Sequence, residues 1–141
     1  MDSKYLDLLK KAFEIRKNAY VPYSHFKVGA ALLCKNGKTY LGCNIENGAF
    51  GPTICSERTA IFEAVKNMDR EFEAIAVVGG KEGDDVLEIA TPCGVCRQVM
   101  TEFCDDDFKI IMAKMKQDGE ILDEKIMTLD EILPLRFKLK K

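Results

Sequence analysis

The chain has 141 residues, 21 Lys and Arg against 23 Asp and Glu, a formal net charge of −2 and 47% hydrophobic residues. That length predicts a single domain with a sizeable core, and the charge balance leaves no sequence-wide footprint for nucleic acid. No apolar run approaches the roughly eighteen residues of a membrane-spanning helix.

Six cysteines would suit a disulfide framework in a secreted chain, but charges run through the N-terminal segment and no secretory leader is expected. The chain therefore reads as reduced and cytoplasmic, acting on a small molecule, with neither membrane nor nucleic acid as a partner.

From Lys4 to about Tyr20, Leu6, Leu9, Ala12 and Phe13 recur at helical spacing among Lys and Glu, which predicts an amphipathic helix. Val21-Pro22-Tyr23-Ser24 breaks it. Phe26 to Cys34 reads as a strand containing Val28, Leu32 and Leu33. Asn36-Gly37 marks a tight hairpin into a return strand over about Lys38 to Ile45. A loop with Asn47, Gly48, Gly51 and Pro52 leads to a helix over Cys55 to about Asn67, with Ala60, Ile61, Ala64 and Val65 on its buried face.

Glu73 to Gly80 is a short β-rich run that reads as a central strand. Pro92 opens a helix over Cys93 to about Cys104, where Val95, Val99 and Phe103 recur on one side. Phe108 to Met115 is a strand, and Gln117-Asp118-Gly119 turns the chain into another over Ile121 to Met127. Thr128 and Glu131 form a capping box for a last short helix, ended by Pro134. Strands alternating with helices, plus two hairpins, predict a layered α/β fold over residues 1–141 with a mixed sheet.

The chemistry concentrates in Cys55-Ser56-Glu57 and Pro92-Cys93-Gly94-Val95-Cys96. Cys55, Cys93 and Cys96 supply three thiolates for one zinc ion. A catalytic zinc site uses three protein ligands and keeps the fourth position open for water, whereas a structural site closes with four. Cys34, Cys43 and Cys104 lie in apolar or strand-like surroundings without a Cys-x-x-Cys partner and read as small buried residues; Cys43 would be the next donor if a fourth were needed. The ligands fall at the starts of two helices, whose positive ends favour thiolate.

Three thiolates donate much charge to a metal, so something must withdraw it. Arg58 is placed to hydrogen-bond a ligand sulfur, in the layer of contacts around the metal's own ligands. Glu57, two residues from a ligand yet aimed differently, suits a proton shuttle that takes a proton from the attacking water and passes it to the leaving side. The bland alternatives are a zinc ribbon or redox pair at Cys93 and Cys96, a solvated Glu57, and an exposed helix arginine at Arg58.

The order Cys-x-Glu then Pro-Cys-x-x-Cys is the three-cysteine form of the zinc deaminase signature. With Tyr20-Val21-Pro22-Tyr23-Ser24-His25-Phe26, Val28-Gly29-Ala30-Ala31-Leu32-Leu33, Gly42-Cys43-Asn44-Ile45-Glu46-Asn47, Cys55-Ser56-Glu57-Arg58-Thr59-Ala60 and Pro92-Cys93-Gly94-Val95-Cys96-Arg97-Gln98-Val99, nearly the whole chain resembles the small, homotetrameric, zinc-dependent cytidine deaminases that act on free nucleosides. The resemblance implies a three-layer fold with a five-stranded mixed sheet flanked by helices. It also implies one zinc per subunit and hydrolysis of cytidine and 2′-deoxycytidine to uridine and 2′-deoxyuridine with release of ammonia, a pyrimidine salvage step. Phe26 would stack on the pyrimidine, Asn44 and Glu46 would hydrogen-bond the ribose 3′-hydroxyl, and Phe137 would reach a neighbouring subunit's pocket in a homotetramer with shared active sites.

The chain departs from the family pattern in places. Ser56 stands where relatives usually carry Ala, Phe50 where Tyr is common, and Gly48 and Pro52 make their loop unusual. The tail after Phe137 lacks the usual ending, and His25 occupies a variable position. Three other functions stay open from the residues: deamination of another small amino-pyrimidine of the blasticidin type, a non-catalytic zinc-stabilised module, and editing within RNA or DNA.

Overall fold

A computed structural model describes residues 1–141. Asp2 caps α1 (Ser3–Ile15) by accepting from the Lys4 backbone N–H at 3.0 Å. Leu8, Leu9, Ala12 and Phe13 form the buried stripe of this helix. A 3-10 turn over Arg16–Asn18 ends the helical segment short of Tyr20. The close approach of the next strand fits this early ending: a Cβ on Gly29 would lie 2.0 Å from the Ala12 carbonyl and 2.7 Å from the Arg16 nitrogen, so glycine lets the helix end rest on the sheet.

β1 (Phe26–Cys34) and β2 (Thr39–Cys43) form an antiparallel hairpin in register from Gly29 with Cys43 to Leu33 with Thr39. Gly37 turns it at φ +90°, a conformation open to glycine at little cost. The next elements are α2 (Ser56–Lys66), β3 (Phe72–Lys81), β4 (Val86–Leu87) and α3 (Gly94–Phe103). They are followed by β5 (Lys109–Lys116), β6 (Ile121–Thr128) and α4 (Leu129–Ile132), which the expected Thr128/Glu131 capping box begins.

The sheet runs β2-β1-β3-β5-β4, with β6 also paired to β5. β3 is central, antiparallel to β1 and parallel to β5. The sheet has six strands, where the resemblance implied five. β6 takes one edge of β5 along its length. On the other edge β3 pairs through Val77 with Met112, and Val86 and Leu87 then pair with Lys116 and Met115. Two residues are too short to show a strand period, so β4 exists only because β5 offers it unpaired backbone groups.

Alternation along the strands splits the core into two faces. Ala31, Ala74, Ala76, Val78 and Ile111 meet the α1 stripe on one side. Ala30, Leu32, Ile75, Ile110 and Met112 meet Ala60, Ile61 and Ala64 of α2, Met100 of α3 and Leu129 and Ile132 of α4 on the other. Each fully buried Leu or Ile contributes roughly 1.5–3 kcal/mol, which ties both helical layers to the one sheet.

The inward face of α3 differs from expectation. It carries Cys96, Met100 and Thr101, while Val95 is exposed and Val99 and Phe103 are only partly buried. Cys96 and Met100 have the same four-residue spacing as Val95 and Val99, rotated by one position, and the inward turn of Cys96 decides between them.

α2 is seated with little freedom. A Cβ on Gly42 would lie 2.3 Å from the Ser56 carbonyl, 2.4 Å from Thr59 Oγ1 and 2.5 Å from the Ala60 nitrogen. The Thr59 hydroxyl lies 3.0 Å from the Cys43 carbonyl and 2.8 Å from that of Ser56. The first turn of α2 therefore lies directly on β2, and the residues around it inherit the rigidity of the sheet.

Candidate active site

Cys55 is the N-cap of α2 and Cys93 the N-cap of α3. The Cys93 sulfur accepts from the Cys96 backbone N–H at 3.4 Å, which folds the Cys-x-x-Cys segment around the helix start. The sulfurs of Cys55, Cys93 and Cys96 all lie within 4.8 Å of one another, with Cys55 and Cys93 3.7 Å apart. Tetrahedral zinc–thiolate bonds of about 2.3 Å imply sulfur–sulfur edges of about 3.8 Å. The donor set and its spacing thus fit a tetrahedral metal with one position left for a non-protein ligand.

The charge state of the trio points the same way. Hydrogen bonding from Cys96, helped by Arg58 and Cys93 against the opposing effect of burial, lowers the Cys55 thiol to about 5. Cys96 is pushed up, first by its hydrogen bond to Cys55 and then by burial. Its neighbours thus favour the Cys55 thiolate, and a bound cation would favour the deprotonated, ligating form of a cysteine in the same way.

Arg58 Nη2 donates to Cys55 Sγ at 3.4 Å. Burial lowers the proton affinity of its guanidinium, but the Cys55 and Cys96 sulfurs outweigh that and raise it, so it stays charged. The other cysteines stand apart from the cluster. Cys34 and Cys104 are buried, and burial pushes their thiols up to about 11 and about 12; Cys43 is half-buried and also raised by burial.

Glu57 lies in the first turn of α2 and is 3% exposed. Burial pushes its carboxyl above the usual range, and a 2.6 Å hydrogen bond from the Ser56 hydroxyl to Oε1 pulls it partly back. Glu57, Cys55 and Cys93 open onto a cavity of about 240 Å³ that Phe26, Val28, Asn44, Ser56, Val77, Ala90 and Thr91 also line. Phe26 stands at this cavity with 42% of its surface exposed, which leaves its ring open to a flat partner.

The structure brings Phe26 and Asn44 to the cavity with Cys55, Cys93 and Glu57, but leaves Glu46 and Phe137 outside it. The Asn44 amide is engaged in the sheet: Oδ1 accepts from the Val28 N–H and Nδ2 donates to the Phe26 carbonyl, both at 2.9 Å. Glu46 opens instead onto an adjoining pocket of about 460 Å³ with Tyr23, Ser24, Asn47, Gly48, Phe50 and Thr53. Its Oε1 accepts from the Tyr23 and Ser24 backbone N–H groups, both at 3.1 Å. Phe137 lines neither pocket; its carbonyl accepts from Gln98 Nε2 at 2.9 Å while its side of the tail faces outward, the residue being 66% exposed.

Several lining residues escaped the sequence reading. Ala90 and Thr91 immediately precede the Pro92-Cys93 motif, and Val28 lies one strand period from Phe26, so both had a local signal. Val77 had none, because only the pairing of β1 with β3 brings it near.

Residues 2–112 match the family model of the cytidine and deoxycytidylate deaminase zinc-binding region. A cytidine deaminase from Halalkalibacterium halodurans is 45% identical over 130 residues, which cover 92% of this chain and 91% of the relative. One from Sporosarcina psychrophila is 48% identical over 113 residues, 80% of this chain and 79% of the relative. The fold is also similar to the crystal structure of cytidine deaminase from Burkholderia pseudomallei, with a TM-score of 0.80 at 38% identity, covering 97% of this chain and 100% of that one.

Proposed function

Because the chain belongs to the cytidine and deoxycytidylate deaminase family, we propose that it hydrolyses cytidine and 2′-deoxycytidine to uridine and 2′-deoxyuridine with release of ammonia. Zinc is the ion its cysteine trio holds, one per subunit. The observation that carries the mechanism is a buried carboxylate, Glu57, opening onto the same cavity as Cys55 and Cys93.

Cys55, Cys93 and Cys96 hold the metal, which when bound supplies the Lewis acidity that makes water a competent nucleophile near neutral pH. Glu57 accepts one proton from the attacking water and passes it to the ring nitrogen, then takes the second from the new C4 hydroxyl and passes it to the departing amine, so that C4=O forms as the C–N bond breaks and ammonia leaves. The burial that raises the proton affinity of its carboxyl suits a group that must hold a proton briefly between those transfers. Arg58 draws charge from Cys55 through its 3.4 Å contact, which keeps the metal electrophilic despite three sulfur donors.

Phe26 stacks on the pyrimidine face. Asn44 stiffens the β1 edge that carries Phe26 and turns its remaining hydrogen-bonding capacity to the sugar. Glu46 keeps Oε2 for the 3′-hydroxyl while Oε1 is held by the Tyr23–Ser24 backbone. Residues 1–141 work as one domain in a cytoplasmic homotetramer, in which the outward-facing Phe137 completes a neighbour's pocket. The reaction belongs to pyrimidine salvage and involves neither nucleic acid nor membrane; no helix is long and apolar enough to cross one.

Zinc-loaded protein and Glu57→Gln, incubated with cytidine and deoxycytidine, test this reading by ultraviolet change and ammonia release. Turnover of both nucleosides, lost by roughly 10²–10⁴-fold in the variant while its zinc content stays level, is the expected result. Turnover undiminished in Glu57→Gln would remove the proton shuttle, and absence of turnover in fully metallated wild-type protein would remove the activity.

A further inference from the structure

The geometry points to Ser56 as a positioning residue that holds one oxygen of the Glu57 carboxylate, leaving the other to move the proton. The inference rests on the proton-shuttle reading of Glu57. Ser56 is fully buried at 0% exposure and lines the reaction cavity, and its hydroxyl lies 2.6 Å from Glu57 Oε1. The hydroxyl donates and Oε1 accepts, a short contact that engages one of the two carboxylate oxygens.

The serine is itself anchored. Its carbonyl accepts from the Thr59 hydroxyl at 2.8 Å and rests against Gly42, where any Cβ would come within 2.3 Å. Ser56 Cα is therefore held against β2, and the hydroxyl is a fixed point rather than a mobile neighbour. The terminal torsion of a glutamate is soft and broadly populated. Pinning Oε1 to this donor selects one carboxylate orientation and leaves Oε2 as the oxygen free of the serine. Proton transfer requires an oxygen at hydrogen-bonding distance from its partner, so orientation is what the contact supplies.

A double-mutant cycle on the zinc-loaded full-length protein tests this, with Ser56→Ala, Glu57→Gln and the pair assayed on cytidine, and zinc content measured for each. Expected is an approximately tenfold fall in kcat for Ser56→Ala with KM changed less than twofold, and no further loss from Ser56→Ala in the Glu57→Gln background.

A readout independent of turnover is calorimetric binding of a pyrimidine nucleoside with a tetrahedral, hydroxyl-bearing C4, which mimics the transition state. Ser56→Ala should weaken it about tenfold and leave uridine binding level. An equal kcat loss from Ser56→Ala in both backgrounds, a change in KM alone, or an unchanged kcat would each overturn the positioning role while sparing Glu57. Wild-type turnover in Glu57→Gln would overturn the shuttle and this inference with it.

Discussion

Cys55, Ser56 and Glu57 stand at the start of a helix locked onto β2, with Glu57 only 3% exposed, whereas Phe50 and Phe137 project from a loop and a tail at 92% and 66% exposure. The two regions solve different problems. Metal and proton chemistry need groups held to a fraction of an ångström, which packed helix starts provide. In the binding mode proposed here, the envelope around the sugar has one wall within this chain, at Glu46 and its neighbours, and a second subunit supplies the rest. Folding of one chain prepares the first region; in the proposed assembly, association completes the second.

Metal removal should separate the regions most sharply. A chelator is expected to abolish turnover and to open Cys55 and Cys93 to alkylation, which peptide mass mapping would read. Cys34 and Cys104 should stay unmodified in the folded protein, because burial pushes their thiols up to about 11 and about 12. Labelling of Cys34 or Cys104 at the same rate as Cys93 would mean that metal loss unfolds the chain rather than baring one site.

Gly42→Ala attacks the rigidity of the metal end directly. Its Cβ has no room between β2 and the first turn of α2, so a stability loss of about 3 kcal/mol is expected in denaturant unfolding, accompanied by weaker zinc retention. Loss of stability with unaltered zinc affinity would show that the cysteine trio does not depend on how α2 is seated.

Phe137→Ala probes the other region. KM for cytidine should rise about tenfold, the scale of one base–aromatic contact, with zinc content and the thermal midpoint unchanged. An unaltered KM would place the ring outside every active site.

The smallest effect is expected away from both regions. The Tyr40 hydroxyl donates to Asp69, tying the β1–β2 hairpin to the segment after α2. This contact holds the Asp69 carboxyl below its ordinary range and raises Tyr40 from 10.0 to about 12. The depressed carboxyl stabilises the fold above its ordinary pKa and loses that effect as pH falls through the lowered value. The raised phenol stabilises it below pH 10 and loses that effect as pH climbs toward about 12. The Tm gap between wild type and Tyr40→Phe should therefore be small, widest near neutrality, and closed at both extremes. A gap independent of pH would mean that the hydroxyl contributes through packing instead.

How much of this was legible beforehand depended on how local the signal was. Cys93 and Cys96 are three residues apart at a helix start, and Thr128 and Glu131 form a capping box within one turn; such patterns stand in the sequence because the same few residues both encode and form them. The β1 bounds and the Asn36-Gly37 hairpin were legible for the same reason. The inward face of α3 was not, since two equally spaced series differ by one position and only packing chooses between them. β4 was not either, because its two residues pair on an edge set by β5.

The sequence by itself determined the donor set, the carboxylate beside it and the order of the longer strands and helices, because residue type, spacing and period act over one or two turns. Only the tertiary structure decided how closely Cys55 and Cys93 approach, 3.7 Å between sulfurs, that Glu46 faces a different pocket from Asn44, and that Ser56 grips Glu57. Those relations follow from sheet register and helix seating, which are set by the summed packing of distant segments and leave no mark at any single position.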